Sequence, residues 1–346
     1  NWFRPGVKFR VGQFKPFIGL DNTMLDLQTD FLERAFTQSL FQSLIYDRGV
    51  MAFGEPIPGL VYSAAVTNGT GQNVDESQGN LREAESDGKE VTARLVGNFA
   101  QFFDIPDTVI HFGGTYKNGS NPNSKANPYR GATVQTEARG ITFFIPEPFN
   151  STTGATNVSS IDRTIFDIEW ALAHKWAKLQ GDYAQVRYDG TKLAGTGAPS
   201  DFSRALKAWY VSAGIMLSGE YYADIYRDGA FVRPRPNNNF VLGEKGWGLW
   251  ELSLRYSSFD GSDFDNGNLA NTGRPIQSGA NFASFPNITQ GTSKANAYTL
   301  GLKWQPNMYL RFMANLIHTK FDTPVIVNGK ATDYENAFTM RAQLDF

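Results

Sequence analysis

The sequence predicts an all-β fold, a transmembrane antiparallel up-and-down β-barrel that occupies residues 1–346 as a single domain. Three observations support this prediction: segments with one apolar and one polar face, connections that alternate between short and long, and no long apolar run. Successive side chains of a strand point to opposite faces, so one face can meet lipid while the other meets water.

The last eleven residues, 336–346, show the alternation most clearly. Every second residue there is apolar, namely Phe338, Met340, Ala342, Leu344 and Phe346. The residues between them are mostly polar, which gives the segment one apolar and one polar face. Such a strand can close the ring of a membrane barrel, whereas a soluble β-sandwich would need a second sheet to cover it.

The composition excludes several other classes of protein. A formal net charge of −2 and a pI of about 6.0 give no sign of a nucleic-acid partner. No run of eighteen apolar residues exists and the mean hydropathy is −0.35, so membrane-spanning helices are excluded. The chain has no cysteine, 34 glycines and 14% aromatic residues, which suits a barrel with many turns and aromatic girdles.

Twelve segments read as strands, most with about the ten residues that a tilted membrane-spanning strand requires. They are 6–14, 49–53, 60–68, 90–101, 108–117, 164–172, 177–188, 204–217, 247–259, 296–304, 308–320 and 336–346. Their apolar faces are predicted to point outward and their polar faces into a lumen.

The connections alternate in length, as expected when tight turns lie at one mouth of a barrel and loops at the other. Short connections span 55–59, 102–107, 173–176 and 305–307, and long ones span 15–47, 69–89, 118–160, 189–203, 260–295 and 321–335. Six of the seven tryptophans lie near the short turns, namely Trp2, Trp170, Trp176, Trp247, Trp250 and Trp304. This distribution predicts one aromatic belt at one membrane interface.

Three segments depart from simple alternation. Residues 26–44 carry apolar side chains at near-helical spacing, which predicts a helix inside the first long loop. Residues 138–145 resemble a strand but break the up-and-down order, so we assign them to a long loop. The connection 218–246 should be short and is not, and its part 227–240 is a candidate for a segment folded into the pore or for a further hairpin.

Three stretches are distinctive: VGQFKPFIGLD followed by FLERA and YDRG; LSGEYYADIYRDGAFVRPRPNNNF leading into GWGLWELSLRYSSFD; and the closing LGLKW, NLIHTKF and FTMRAQLDF. Together they resemble the phosphate-selective porin O/P family of Gram-negative outer membranes. The resemblance implies a sixteen-stranded homotrimeric barrel in contact with outer-membrane lipid and lipopolysaccharide. Because only twelve strands are counted here, it also implies that the first four strands are missing. A chain that starts without methionine or a signal peptide is expected to be a mature or truncated product.

Alternation predicts which charged side chains face the lumen. The cations are Lys8, Arg10, Arg94, Lys207, Arg255, Lys303, Arg311 and Arg341, and the anions are Asp167, Glu169, Asp182, Glu251 and Asp345. Arginine and lysine in a pore wall favour anionic solutes, and guanidinium groups suit phosphate and carboxylate oxygens. The alternative is that these charges pair across neighbouring strands and leave the wall nearly neutral.

Arg233 and Arg235 are a sharper candidate for a constriction. The flanking prolines, Pro234 and Pro236, would hold this segment stiff and extended. The resemblance implies a ladder of alternating arginines along the pore, and these are the two that occur here in that alternation. The alternative is a solvated connecting loop with two surface arginines.

Arg34 and Arg48 lie in the motifs FLERA and YDRG near the first long loop. The resemblance makes both candidates for lining the pore. Each could instead pair with a neighbouring carboxylate, Glu33 or Asp47.

Catalytic, cofactor and metal signals are poor, so we expect no enzyme activity, no cofactor and no metal. No serine is placed to pair with the three histidines, which are His111, His174 and His318. The stretch 260–268 has suitable oxygen atoms for calcium but lacks the EF-hand spacing and its closing glutamate.

The function expected from these observations is an outer-membrane porin that passes small hydrophilic solutes by passive diffusion. It should prefer anions, including phosphate or other oxyanions. Three alternatives remain: a weakly selective general porin, a structural or adhesive barrel with a plugged lumen, and a soluble β-sandwich lectin.

Overall fold

The computed structural model describes residues 6–26, 28–41, 46–69, 89–122, 132–146, 156–157, 160–194, 200–264 and 288–345. Most of the loop expected over 69–89, residues 265–287 of the loop expected over 260–295, and Phe346 lie outside the described residues.

Twelve strands form the wall of the molecule, and they coincide with the twelve segments found in the sequence, which confirms those segments as strands. They are β1 (Lys8–Phe14), β2 (Asp47–Ile57), β3 (Leu60–Thr67), β4 (Glu90–Asn98), β5 (Thr108–Pro122), β9 (Ser160–His174), β10 (Ala177–Ala194), β11 (Ser200–Met216), β14 (Leu249–Asp260), β16 (Lys294–Gln305), β17 (Leu310–Val327) and β18 (Lys330–Leu344). Each pairs antiparallel with the next in chain order. Among the described residues β1 and β18 each have one wall neighbour, so the total of sixteen strands stays a prediction.

Shorter elements lie in the connections. They are the strands β6 (Val134–Gln135), β7 (Thr142–Phe144), β8 (Thr156–Asn157), β12 (Tyr226–Arg227), β13 (Ala230–Phe231) and β15 (Ile288–Gln290), the helices α1 (Leu20–Thr23), α2 (Thr37–Leu40) and α3 (Phe99–Phe102), and the 3₁₀ turns Tyr222–Ile225 and Ser262–Phe264. β8 and β15 extend the wall to a fourteen-stranded sheet, whereas β6–β7 and β12–β13 are separate pairs. In the described part of the chain, every helix is too short to cross a membrane.

The two faces of the wall have opposite chemistry. On β9, Asp167 and Glu169 are fully buried, while Phe166 and Leu172 on the opposite face are about half exposed. A soluble sheet buries its apolar face and leaves its charged face in water. This wall does the reverse, as a strand between lipid and a polar interior must.

Aromatic side chains form two bands on the outer face. At the end with the short turns, here the turn side, Trp250 stacks on Trp304 and Trp304 on Phe312, each with ring centroids 5.4 Å apart. Toward the opposite end, the loop side, Tyr256 lies 4.9 Å from Tyr298. Six residues of strand separate the bands, roughly 20 Å. The single tryptophan belt expected from the sequence therefore has a second, tyrosine-rich counterpart, and the pair brackets an apolar band.

The connection expected to be long over 321–335 is a hairpin, so that expectation is wrong. β17 and β18 continue toward each other and meet at Asn328 and Gly329, whose φ angles are 52° and 73°. Two positive φ angles in an Asn-Gly pair make a two-residue hairpin turn, which matches the twist of the strands. The connection 189–203 is likewise mostly strand, because β10 and β11 extend into it.

The helix predicted over 26–44 does not form across its described part, apart from the single turn of α2. The apolar residues that suggested it are buried against different parts of the interior. Phe31 covers the guanidinium of Arg255, at 4.4 Å, whereas Phe36 packs on Phe143, at 5.7 Å. The near-helical spacing of these apolar residues therefore does not indicate a helix. It arises because an irregular segment packs successive apolar side chains against different parts of the interior.

Segments from the loops fill part of the interior, on the polar face of the wall. Phe143 on β7 packs on Phe259 of the wall strand β14, at 5.7 Å between ring centroids, and on Phe36 of the first long loop. β7 pairs with β6 and not with the wall, so the segment 138–145 belongs to a loop, as the sequence indicated.

A charge placed on the outer face tests the orientation of the wall. Leu254 lies in a row across the sheet with Leu300, Leu316 and Phe338. Replacing it by arginine would put the charge in the apolar band, so we expect Leu254→Arg to lower the free energy of unfolding by about 2–4 kcal/mol in lipid vesicles. Ser258→Arg, on the same face nearer the loop side, should cost only about 0–1 kcal/mol. Equal losses in denaturant titrations would contradict the outward orientation.

Candidate functional site

The first long loop runs through the interior rather than over it. Its residue Asp30 accepts a hydrogen bond of 2.7 Å from Nζ of Lys178, near the turn-side end of β10. Gly19 has φ of +64°, and a Cβ there would lie 3.2 Å from Oδ2 of Asp182 and 3.3 Å from Oδ1 of Asp167. The loop backbone therefore rests directly on carboxylates of the inner wall, where a larger side chain would not fit.

A second segment, 222–234, enters the interior from the turn side. The Tyr222 hydroxyl donates to Oε1 of Glu251 at 2.9 Å, and the carbonyl of Pro234 accepts from the Gln305 side chain at 2.8 Å. Between these contacts the carbonyl of Gly229 accepts from Nη2 of Arg94 at 2.8 Å. The unexpectedly long connection 218–246 thus crosses the interior over part of its length.

Four of the eight cations that alternation assigned to the lumen are paired with carboxylates, and so is Arg34. The nitrogen–oxygen distances are 2.7 Å for Arg94–Glu169, 2.6 Å for Arg255–Glu137, 2.7 Å for Lys303–Glu251, 2.8 Å for Arg34–Asp26 and 3.8 Å for Lys8–Asp228. The first three pairs are buried. Because an unpaired buried charge destabilises the fold, removing one partner of a buried pair destabilises the fold through the charge that remains. Much of the wall is therefore locally neutral.

A different group of arginines carries excess positive charge. We name it the basic cluster, and its members are Arg34, Arg233, Arg311 and Arg341. Arg311 donates to the carbonyl of Asp26 at 3.0 Å and to the side chain of Gln343 at 2.9 Å, and Arg233 and Arg341 are its electrostatic neighbours.

Three carboxylates accompany the basic cluster. Asp21 and Asp26 both pair with Arg34, and Asp345 accepts a hydrogen bond from Arg233. Burial acts to raise the pKa of Asp26, but Arg34, Lys15 and Arg341 outweigh burial and hold it below the usual range. Asp26 is therefore ionised at neutral pH, and in formal charge the four guanidinium groups exceed the three carboxylates by one.

Two members of the basic cluster have donors that point at no protein acceptor. Nε and Nη2 of both Arg233 and Arg341 are shielded from solvent and have no hydrogen-bond partner among the described residues. Leaving such donors unsatisfied costs about 1–3 kcal/mol each. A planar guanidinium fork is suited to an oxyanion, so the two side chains form a place where a passing anion can be bound by charge-assisted hydrogen bonds.

The remaining site residues expected from the sequence lie apart from the basic cluster. Arg10 lies over the rings of Phe53 and Phe17, at 5.0 and 5.7 Å from their centroids. Arg48 is half-buried near the start of β2, and Arg235 is exposed one residue past Pro234 on the turn side. Whether they line a pore stays a prediction.

Lys207 lies on the outer face, so the expectation that it faces the lumen is wrong. It is exposed between the buried residues Leu206 and Ala208, in phase with Trp209. Apolar side chains occur on both faces of β11 because its inner face packs against loop residues, and this obscured the phase of the alternation.

Sequence reasoning missed the loop residues that complete the site. Lys15, Asp26, Asp30 and Glu137 lie in irregular segments, where no period indicates which way a side chain points. Burial, helped by the charge of Arg34, lowers the pKa of Lys15 to about 8.

The histidines make ordinary hydrogen-bonded contacts. The ring nitrogen Nδ1 lies 2.6 Å from the Tyr226 hydroxyl in His111, 3.0 Å from Oγ1 of Thr108 in His174 and 2.6 Å from Oδ1 of Asn336 in His318. Within the described ranges no group of three or more acidic or histidine side chains is placed to hold a metal ion. The absence of catalysis stays a prediction.

Comparison with known families gives a match over nearly the whole chain. Residues 2–346 match the family described as phosphate-selective porin O and P. No curated protein matches the chain. The match covers the wall strands and both segments that enter the interior.

The buried ion pairs predict a large stability cost when one partner is removed. Glu137 accepts hydrogen bonds from Arg255 at 2.6 Å and from Thr299 at 2.9 Å. Because Glu137→Ala leaves the buried Arg255 without its counter-charge, we expect a loss of about 3–5 kcal/mol in vesicle unfolding titrations. The control is Glu33→Ala, which removes the partner of the exposed Arg139 and should cost less than about 1 kcal/mol. Comparable losses would show that the interior does not depend on this pair.

Proposed function

The chain belongs to the phosphate-selective porin O and P family, a family of outer-membrane porins. From that premise we propose that the protein passes small hydrophilic solutes across the outer membrane of a Gram-negative bacterium by passive diffusion. We further propose that it prefers anions, phosphate among them. The observation that carries this preference is the basic cluster, where Arg233 and Arg341 present unpartnered guanidinium donors in the interior.

The mechanism is electrostatic attraction followed by brief binding. The positive excess of the basic cluster raises the local concentration of anions and repels cations. An anion that reaches Arg233 and Arg341 exchanges its hydrogen bonds to water for charge-assisted hydrogen bonds to the two guanidinium groups. Conduction also requires that the ion leave, and the carboxylate of Asp345, already bonded to Arg233, competes with the solute for the same guanidinium.

A weakly selective general porin is the second candidate, and the ion pairs of the wall favour it. Arg94, Arg255 and Lys303 are each neutralised by a buried carboxylate, so much of the wall exerts little net field. In that case the basic cluster alone would decide selectivity, and a small excess of charge would give a small preference.

Two further properties belong to the proposal. As a porin of this family the protein would assemble as a homotrimer and contact outer-membrane lipid and lipopolysaccharide. It would have no catalytic activity. A structural barrel with a plugged lumen is the contrasting case, because both long segments enter the interior, and it would show no ion conductance in a planar bilayer.

Replacing the unpartnered arginines should reduce anion selectivity. We expect Arg233→Gln and Arg341→Gln each to shift the reversal potential in a KCl gradient toward zero. Each should also weaken the block of chloride current by inorganic phosphate by about tenfold, the loss of roughly one charged hydrogen bond. Single-channel recording in a planar bilayer measures both quantities.

The matched control is Arg187→Gln, which removes the same charge from the outer face of β10, where Arg187 pairs with Asp189. Its reversal potential and phosphate block should equal those of the unaltered protein. If all three variants behave alike, the basic cluster does not set the selectivity.

Selectivity should also depend on pH through Lys15. Its lowered pKa of about 8 means that this ammonium loses its proton as pH rises through 8, and the region around Arg34 then loses one positive charge. We expect the anion preference to fall between about pH 6.5 and about pH 9.5, measured as the reversal potential. Lys15→Arg, which stays charged over this range, should remove most of the change. An unchanged pH profile in that variant would assign the titration to another group.

A further inference from the structure

The segment 237–248 leaves the interior and docks on the turn-side aromatic band. The backbone N–H of Phe240 donates to the carbonyl of Pro306 at 2.7 Å. The carbonyl of Trp247 accepts from the indole N–H groups of Trp250 and Trp304, at 3.2 and 3.0 Å. These bonds fix the segment beside the apolar outer face, and they involve the backbone of Trp247, not its ring.

Two apolar side chains of this docked segment have little protein cover in the described chain. Leu242 is 90% exposed and Trp247 75% exposed. Because the segment adjoins the tryptophan band of the outer face, the surface that would cover these side chains is the membrane interface.

A cleft of about 470 Å³ lies between the docked segment and the wall, and its lining includes Leu217, Ser218, Glu220, Lys245, Trp247 and Trp250. This volume falls within the range of ordinary ligand sites. One side of the cleft is aromatic and apolar, and it is continuous with the outer face through the exposed Leu217.

The cleft carries one charge that is free to bind a ligand. Glu220 is already occupied, because one oxygen accepts from the Ser218 hydroxyl and the other from the backbone N–H of Asn237 at 2.9 Å. Lys245 is exposed and makes no ion pair or hydrogen bond within the described part of the chain. An anionic group beside apolar surface is therefore the chemistry that fits.

We propose that this cleft binds the headgroup of a phospholipid from the membrane leaflet on the turn side. The lipid phosphate pairs with Lys245, the glycerol region lies against Trp247 and Trp250, and the acyl chains pass Leu217 onto the apolar outer face. A free phosphate ion would use Lys245 but would leave the aromatic wall uncovered. The proposal rests on membrane insertion of the barrel and does not depend on which solute the pore passes.

Native mass spectrometry of the detergent-purified protein with added phosphatidylethanolamine tests this site. The unaltered protein should retain one tightly bound lipid molecule. Lys245→Ala and Trp247→Ala should each reduce the retained fraction about tenfold. Lys245→Arg should keep it. The control, Lys330→Ala, removes an exposed lysine at the opposite, loop-side end and should change nothing.

A competition arm distinguishes lipid from free anion. Inorganic phosphate in large excess should leave the bound lipid in place, because it cannot replace the apolar contacts. Lipid retention in both alanine variants equal to that of the unaltered protein would overturn the proposal. Displacement by inorganic phosphate would also overturn it and would identify a free-anion site. Circular dichroism confirms that each variant is folded, and Trp247→Ala keeps the backbone carbonyl that docks the segment.

Discussion

The structure depends on one constraint: a backbone that crosses hydrocarbon must satisfy its own hydrogen bonds. The ladder of wall strands from β2 to β17 meets this requirement because each of these strands pairs with a neighbour on both sides, and every wall strand is antiparallel to the next. Because a strand sends alternate side chains to opposite faces, the same ladder forces an apolar outer surface and a polar inner one. The stacked rings of Trp250 and Trp304 and the tyrosine pair Tyr256 and Tyr298 mark where the apolar band ends.

The charged inner face of the wall imposes a second constraint. Wherever a loop covers this face, the buried charges need partners of opposite charge. The first long loop brings Asp30 to Lys178, and the connection between β6 and β7 brings Glu137 to Arg255. Compensation is incomplete around Arg233 and Arg341, where guanidinium donors lack acceptors in the described chain. In the proposed function, selectivity comes from the charges that remain after structural pairing, and far fewer charges remain than a count of inward-facing cations suggests.

The wall could be predicted from the sequence because alternation is a local property, and all twelve strands follow from it. The errors arise where local pattern is ambiguous or absent. Lys207 lies on the face opposite to the expected one because β11 has apolar residues on both faces. The Asn328–Gly329 turn directly follows the apolar run 325–327, inside the stretch that the sequence predicts to be one long connection. The partners of Arg255 and Arg34 could not be predicted from the sequence. Glu137 and Asp26 lie in irregular loops, and only the assembled fold brings them to Arg255 and Arg34.

The way the first loop is held also has a consequence for the order of assembly. Asp30 and Lys178 are 148 positions apart, and Asp26 and Arg311 are 285 positions apart. Contacts between such distant parts of a chain form slowly, because the loop-closure entropy must be met before any contact is gained. Asp26 and Asp30 therefore reach these wall partners only when β10 and β17 are in place. The seating of the loop is a late event of folding, and the newly formed wall passes through a stage in which its interior is wider and more highly charged than in the finished protein.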